Sequence, residues 1–84
     1  MYRVTCYEDE HLGLDYRRET AARDCETPDA AIATAMRHVM PTMGSAHITK
    51  PDHAGVFLCR PTDASRWTEA QLIDRLHGWP FRPR

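Results

Sequence analysis

The run Thr27-Pro28-Asp29-Ala30-Ala31-Ile32-Ala33-Thr34-Ala35-Met36-Arg37-His38-Val39-Met40 reads as a helix with both ends marked, and the rest of the chain is arranged around it. Thr27 is an N-cap, its hydroxyl placed to accept an orphan N–H of the first turn. Pro28 fits the first helical position, and Asp29 faces the positive end of the helix dipole. Ile32, Ala35, Met36, Val39 and Met40 recur at helical spacing and form one apolar stripe. Arg37 and His38 fall in the last turn, where positive charge is favoured. Pro41 and Gly44 stop the helix, which is expected over 28–40.

Towards the N-terminus lies a hairpin, expected over 1–23. Tyr2 to Tyr7 alternates, with Tyr2, Val4 and Cys6 on one face and Arg3, Thr5 and Tyr7 on the other. Glu8 to Gly13 is a polar turn. Leu14 to Arg23 is the second strand, with Tyr16 and Thr20 supporting it; its few apolar residues suit an edge or half-exposed position. Adjacent strands joined by a short loop pair antiparallel.

Towards the C-terminus a second hairpin is expected over 45–60. Ser45 to Lys50 and Val56 to Arg60 are its strands, and Lys50 to Gly55 is its turn. Val56-Phe57-Leu58-Cys59 is continuously apolar, which suggests a strand buried on both faces near the sheet centre. A second helix is expected over 69–77. Thr68 and Gln71 form a capping box, and Trp67 with Leu72 forms a hydrophobic staple. Leu72, Ile73 and Leu76 are its buried stripe. Gly78 reads as a left-handed C-terminal residue, with Trp79 folding back onto Ile73. Pro80 forbids continuation, and 78–84 is a tail that Phe81 helps to order.

The fold class is therefore α+β. The order is β-β-α-β-β-α, giving a four-stranded antiparallel sheet with the helices on one face. If Tyr2, Val4 and Cys6 meet the helices, then Arg3, Thr5 and Tyr7 lie on the open face; the reverse is equally compatible with the alternation. A chain of 84 residues fits one domain. Such a domain buries about two-thirds or less of its unfolded surface, which leaves little volume for a deep catalytic cavity. Size favours a surface function.

Net charge is −1, which suits neither a DNA mimic nor a generic polyanion binder. Residues 1–30 hold eight acids against four bases, and residues 31–84 hold seven bases against four acids. No stretch approaches the roughly 20 apolar residues of a membrane span, so no membrane partner is expected. Met1 to Cys6 has no signal-peptide pattern. Cys6, Cys25 and Cys59 are odd in number and far apart, so the cytoplasm is the expected compartment and no disulfide framework is expected. One exposed cysteine could still join two copies, and the chain is expected as a monomer or homodimer.

Each candidate chemistry meets a simpler structural reading. The five histidines and three cysteines include no C-x-x-C or H-x-x-x-H pair of the kind that zinc sites use. His11 and His53, with Asp9 and Asp52, would form a site only if the two turns met; solvated turn residues are the simpler reading. Cys59 has His47 on the neighbouring strand. Its run is apolar, however, where a thiol packs as a small hydrophobe. Glu8, Asp9 and Glu10 cluster in a turn, where water prevents the pKa separation that acid–base pairs need. The glycines are isolated, so no phosphate loop is present. No cofactor, metal or catalytic residue is assigned, and no enzyme is expected.

Two surface readings remain. Arg3, Arg17, Arg18, Tyr7 and Tyr16 could share the open sheet face, as in sheets that stack RNA bases. Asp15, Glu19 and the acidic turn lie in the same hairpin and weaken that electrostatic footprint. Trp67, Trp79, Phe81, Met43 and the arginines are residue types enriched at protein interfaces. Trp67 and Trp79 have packing roles to fill, so Phe81 is the better contact. The partner-binding candidates are Arg3, Tyr7, Arg17, Arg18 and Phe81.

The stretch Pro28 to Met36, followed by Gly44-Ser45 and the short hairpin ending Val56-Phe57-Leu58, resembles the layout of small anti-CRISPR proteins encoded by phages and other mobile elements. The resemblance runs from Tyr2 to Arg60 and rests on element order rather than on a functional motif. It implies a non-enzymatic inhibitor acting in the host cytoplasm. Such a protein docks on a CRISPR effector subunit and blocks target-DNA engagement. It carries over no binding residues. A small RNA- or DNA-binding domain using the open sheet face is the alternative, and an uncharacterised small enzyme or metal-binding domain comes third.

Overall fold

A computed structural model describes residues 1–8, 19–42, 44–52 and 55–79. Its elements are β1 (Tyr2–Tyr7), β2 (Glu19–Cys25), α1 (Pro28–Thr42), β3 (Ser45–Thr49), β4 (Val56–Cys59), α2 (Pro61–Arg66) and α3 (Glu69–Gly78). The strands form one sheet in the order β2-β1-β3-β4, every neighbouring pair antiparallel. This is the expected α+β class. It follows that β2 and β3 run parallel with β1 between them, so their connection must cross a sheet face. α1 is that crossover.

α1 starts as its sequence dictates. The Ala30 N–H donates to Thr27 Oγ1 at 3.1 Å, and the Ala31 N–H donates to the Thr27 carbonyl at 3.1 Å. The helix then runs past the expected stop, through Pro41 to Thr42. Proline here removes one N–H in the last turn. Beyond it, the Thr42 hydroxyl donates to the His38 carbonyl at 2.6 Å and accepts from the Gly44 N–H at 3.1 Å. The buried stripe is Ala31, Ile32, Ala35 and Val39. Met36 is only half-buried and Met40 is exposed, because the stripe is turned towards Ala31 rather than towards the methionines.

The core lies between the sheet and the helices. Val4 and Cys6 of β1, Ala46 and Ile48 of β3, and Phe57 and Cys59 of β4 meet Ile32, Ala35 and Val39 of α1 and Leu72 and Leu76 of α3. The alternation in β1 is thereby resolved: Val4 and Cys6 face the helices, with Tyr2 packed against the same core. Each large aliphatic side chain buried there contributes about 1.5–3 kcal/mol.

Four expectations need correction. β2 reaches Cys25, beyond the expected Arg23, while the expected Leu14–Arg18 portion lies outside the described residues. β4 is an edge strand rather than a central one, with Phe57 and Cys59 buried and Val56 exposed. An apolar run reports burial of one face and gives no strand order. Residues 61–66, for which no element is expected, form α2. Pro61 stands at its first position, and the Asp63 carboxylate accepts from Arg60 N at 2.9 Å and Arg60 Nε at 3.0 Å. Gly78 is the last residue of α3 rather than a left-handed cap, and Trp79 follows in extended backbone. Trp79 turns edge-on to Phe57, with centroids 6.3 Å apart, and packs with Ile73 against the same core.

The capping box of α3 forms as expected. The Gln71 N–H donates to Thr68 Oγ1 at 3.2 Å, and the Thr68 N–H donates to Gln71 Oε1 at 2.8 Å. Its other end is held from a distance in sequence. Lys50 Nζ donates to the carbonyls of Leu76 at 3.1 Å, His77 at 3.4 Å and Trp79 at 2.8 Å.

Candidate protein-binding surfaces

With Val4 and Cys6 committed to the core, the pleat puts Arg3, Thr5 and Tyr7 on the other face. The register places Asp24 and Ala22 beside them on β2, His47 and Thr49 on β3, and Leu58 and Val56 on β4. No described helix packs on this face. Arg3 Nη1 donates to Asp24 Oδ1 at 3.1 Å in an exposed ion pair, which largely cancels the arginine's charge. Tyr7 and His47 stack at 4.5 Å between centroids with their planes at 51°. The described part of the face is thus mixed and near-neutral, and it carries an aromatic–imidazole pair.

Of the expected contact residues, Arg3 and Tyr7 share this face, one at each end of β1. Arg17, Arg18 and Phe81 lie outside the described residues, as do Tyr16 and Met43. Sequence reasoning weighed His47 only as a base for Cys59 and passed over Asp24. The period-2 alternation of β3 marks His47, but only the pairing of β1 with both β2 and β3 brings the two to Tyr7 and Arg3. Trp67 has the guanidinium of Arg75 at 4.6 Å and that of Arg66 at 5.2 Å from its ring centre. With Trp79 on Phe57, both tryptophans serve packing.

The cysteine pairing considered from sequence is broken by the sheet. Cys59 pairs with Ala46 on the core side, whereas His47 pairs with Leu58 on the open side. Thiol and imidazole therefore lie on opposite faces. Burial, reinforced by the Asp63 carboxylate, pushes the Cys59 thiol up to about 11. Burial also raises the Cys6 thiol against the opposing charge of Arg23. All three cysteines are free and buried. Among the described residues no group of three or more His, Cys, Asp or Glu side chains is placed to hold a metal ion. The expectation for His11 and His53 falls outside the described residues.

The helix side of β2 offers a second surface. Arg23 pairs with fully buried Val4 and so projects towards the helix layer, yet it is exposed. α1 does not cover this edge. A groove of about 400 Å³ remains there, lined by Cys6, Ala21, Ala22, Arg23, Thr34, Arg37 and His38. His38 Nε2 donates to the Tyr7 carbonyl at 2.7 Å, and Thr34 Oγ1 lies 3.6 Å from Cys25 Sγ. A third, shallower groove on the outer side of α1 is lined by Ala33, Met36, Met40, Pro41, Arg37 and Glu69.

No family model, curated protein or solved structure matches this chain. No described helix is long and apolar enough to cross a membrane.

Proposed function

We propose that this chain is a non-enzymatic module that binds another protein, with the open sheet face as its principal contact surface. The supporting observation is the composition of that face. Tyr7, at the end of β1, stacks on His47 of β3, Leu58 and Val56 extend the face with apolar surface, and its one described guanidinium is already paired with Asp24. Nucleic-acid binding draws on unneutralised cations to displace counterions. A near-neutral face carrying an aromatic–imidazole pair suits a protein partner better.

The specific form is an anti-CRISPR-type inhibitor acting in the host cytoplasm. It would occupy a CRISPR effector subunit and prevent target-DNA engagement. Its support is the likeness of element order alone. The test is phage plaquing on a bacterium with active CRISPR interference, with and without this chain expressed. Restored plaquing is expected, and its loss in Thr5→Glu and His47→Glu variants of unchanged melting temperature would tie it to the open face. Undiminished interference against every effector type tried would sink the inhibitor form. Binding to a generic oligonucleotide with a steep salt slope, lost in the same variants, would replace the protein-binding reading with the nucleic-acid one.

A further inference from the structure

We infer that the free edge of β2, together with the basic groove between it and α1, takes an extended acidic peptide segment as a fifth strand. β2 ends the sheet order, so one row of its backbone N–H and C=O groups has no strand partner among the described residues. Such an edge pairs readily with an incoming chain unless it is short, covered, bulged or charged; the register of β2 on β1 shifts near Glu19 and is regular from Ala21 to Cys25. β2 has 7 residues, against 4 in β4, the other edge. Its central positions are Ala21 and Ala22, both exposed, which leave the backbone open to approach.

The groove supplies the charge that selects the occupant. Among the described residues it is lined by Arg23 and Arg37 and by no carboxylate. Neither guanidinium makes an ion pair among the described residues. Asp24, adjacent in sequence to Arg23, points to the opposite face and is held by Arg3. His38 uses its Nε2 on the Tyr7 carbonyl, so the two arginines are the recognition groups. Guanidinium forks bind carboxylates with two parallel hydrogen bonds. Side chains of an added strand alternate between faces, so every second residue of the peptide would face the groove. The matching segment is therefore acidic at alternate positions. A second copy of β2 is the competing occupant, since pairing centred on Ala21 would set Arg23 against Glu19. Pairing centred on Arg23 opposes like charges, and pairing centred on Ala22 sets Arg23 against Ala21.

This inference rests on the reading of the chain as a protein-binding module and names the chemistry of one partner segment. The probe is a fluorescein-labelled peptide of 7 residues, the length of β2, alternating glutamate and valine. Its anisotropy is expected to saturate with added protein, and the amide signals of Ala21–Asp24 to shift and gain exchange protection. Arg23→Glu with Arg37→Glu should weaken binding by about ten-fold or more, as expected for lost charge-assisted contacts. Thr5→Glu and His47→Glu should leave it unchanged. Equal binding of a lysine–valine peptide, equal binding of a fully N-methylated peptide, or no saturation at millimolar protein would overturn the inference. So would β2 amides already protected in a dimer of the free protein. A failure here, with open-face variants still losing partner activity, leaves the function proposed above intact.

Discussion

Replacing Lys50 with methionine isolates one ammonium group and keeps most of the side-chain stem. Lys50 is the only lysine in the chain, and its Nζ spans the carbonyls of Leu76, His77 and Trp79 at the C-terminal end of α3. The Leu76 carbonyl also accepts from the Trp79 N–H, at a long 3.3 Å, and the carbonyls of Leu76 and His77 carry the negative end of the helix dipole. A hydrogen bond to a charged group contributes about 1.5–3 kcal/mol net, and a cation at a partly buried helix C-terminus up to about 2 kcal/mol. The two figures describe overlapping effects, so their sum is not the expectation. We expect Lys50→Met to cost about 2–3 kcal/mol. In a domain of this size that lowers the melting temperature by roughly 10–20 °C. Urea unfolding followed by circular dichroism gives the free energy, and hydrogen exchange of residues 76–79 locates it. Lys50→Arg should recover only part, because a planar fork cannot converge on three carbonyls as an ammonium does. A loss for Lys50→Met below about 0.5 kcal/mol, the range of an ordinary surface substitution, would show that water satisfies these carbonyls equally well and would refute the reasoning.

Three further outcomes follow from buried groups. Cys59 ionises near 9.0 in the unfolded chain and near about 11 in the fold, so between those values only the unfolded state has lost the proton. Stability should be full below pH 9.0 and fall as pH rises towards 11, by roughly 3 kcal/mol, and Cys59→Ala should flatten that decline in urea melts across the range. A Cβ on Gly44 would run into the Tyr7 carbonyl and come within 2.8 Å of His38 Nε2, so Gly44→Ala should cost about 1–3 kcal/mol and loosen the β1–α1 contact, seen as faster exchange of β1 amides. The Ser45 hydroxyl is buried and makes no hydrogen bond among the described residues; Ser45→Ala should therefore stabilise the fold by about 1 kcal/mol in the same melts.

Local chemistry made most of the elements legible. Thr27-Pro28-Asp29 and the Thr68–Gln71 box act within one helical turn, so the residues that start α1 and α3 are neighbours in the chain. The same kind of signal stood at Pro61 and Asp63 and would have revealed α2. The alternation of β1 was equally plain, but alternation alone does not say which face meets the helices. That choice became clear only with Val4 and Cys6 in the core. β4 shows the opposite failure: four consecutive apolar residues suggested a central strand, yet the position of a strand in a sheet depends on which partners it finds, not on its own hydropathy.

By itself, then, the chain determined its class, the start of each longer helix and the antiparallel hairpins, because those depend on groups a few residues apart. Tertiary structure decided the rest: the strand order, the stacking of Tyr7 on His47, the separation of Cys59 from His47 by the sheet, the neutralisation of Arg3 by Asp24, and the uncovered edge flanked by Arg23 and Arg37. The physical reason is the same in each case. A surface is made of residues distant in sequence, and only strand register and the reach of α1 across the sheet determine which side chains share it.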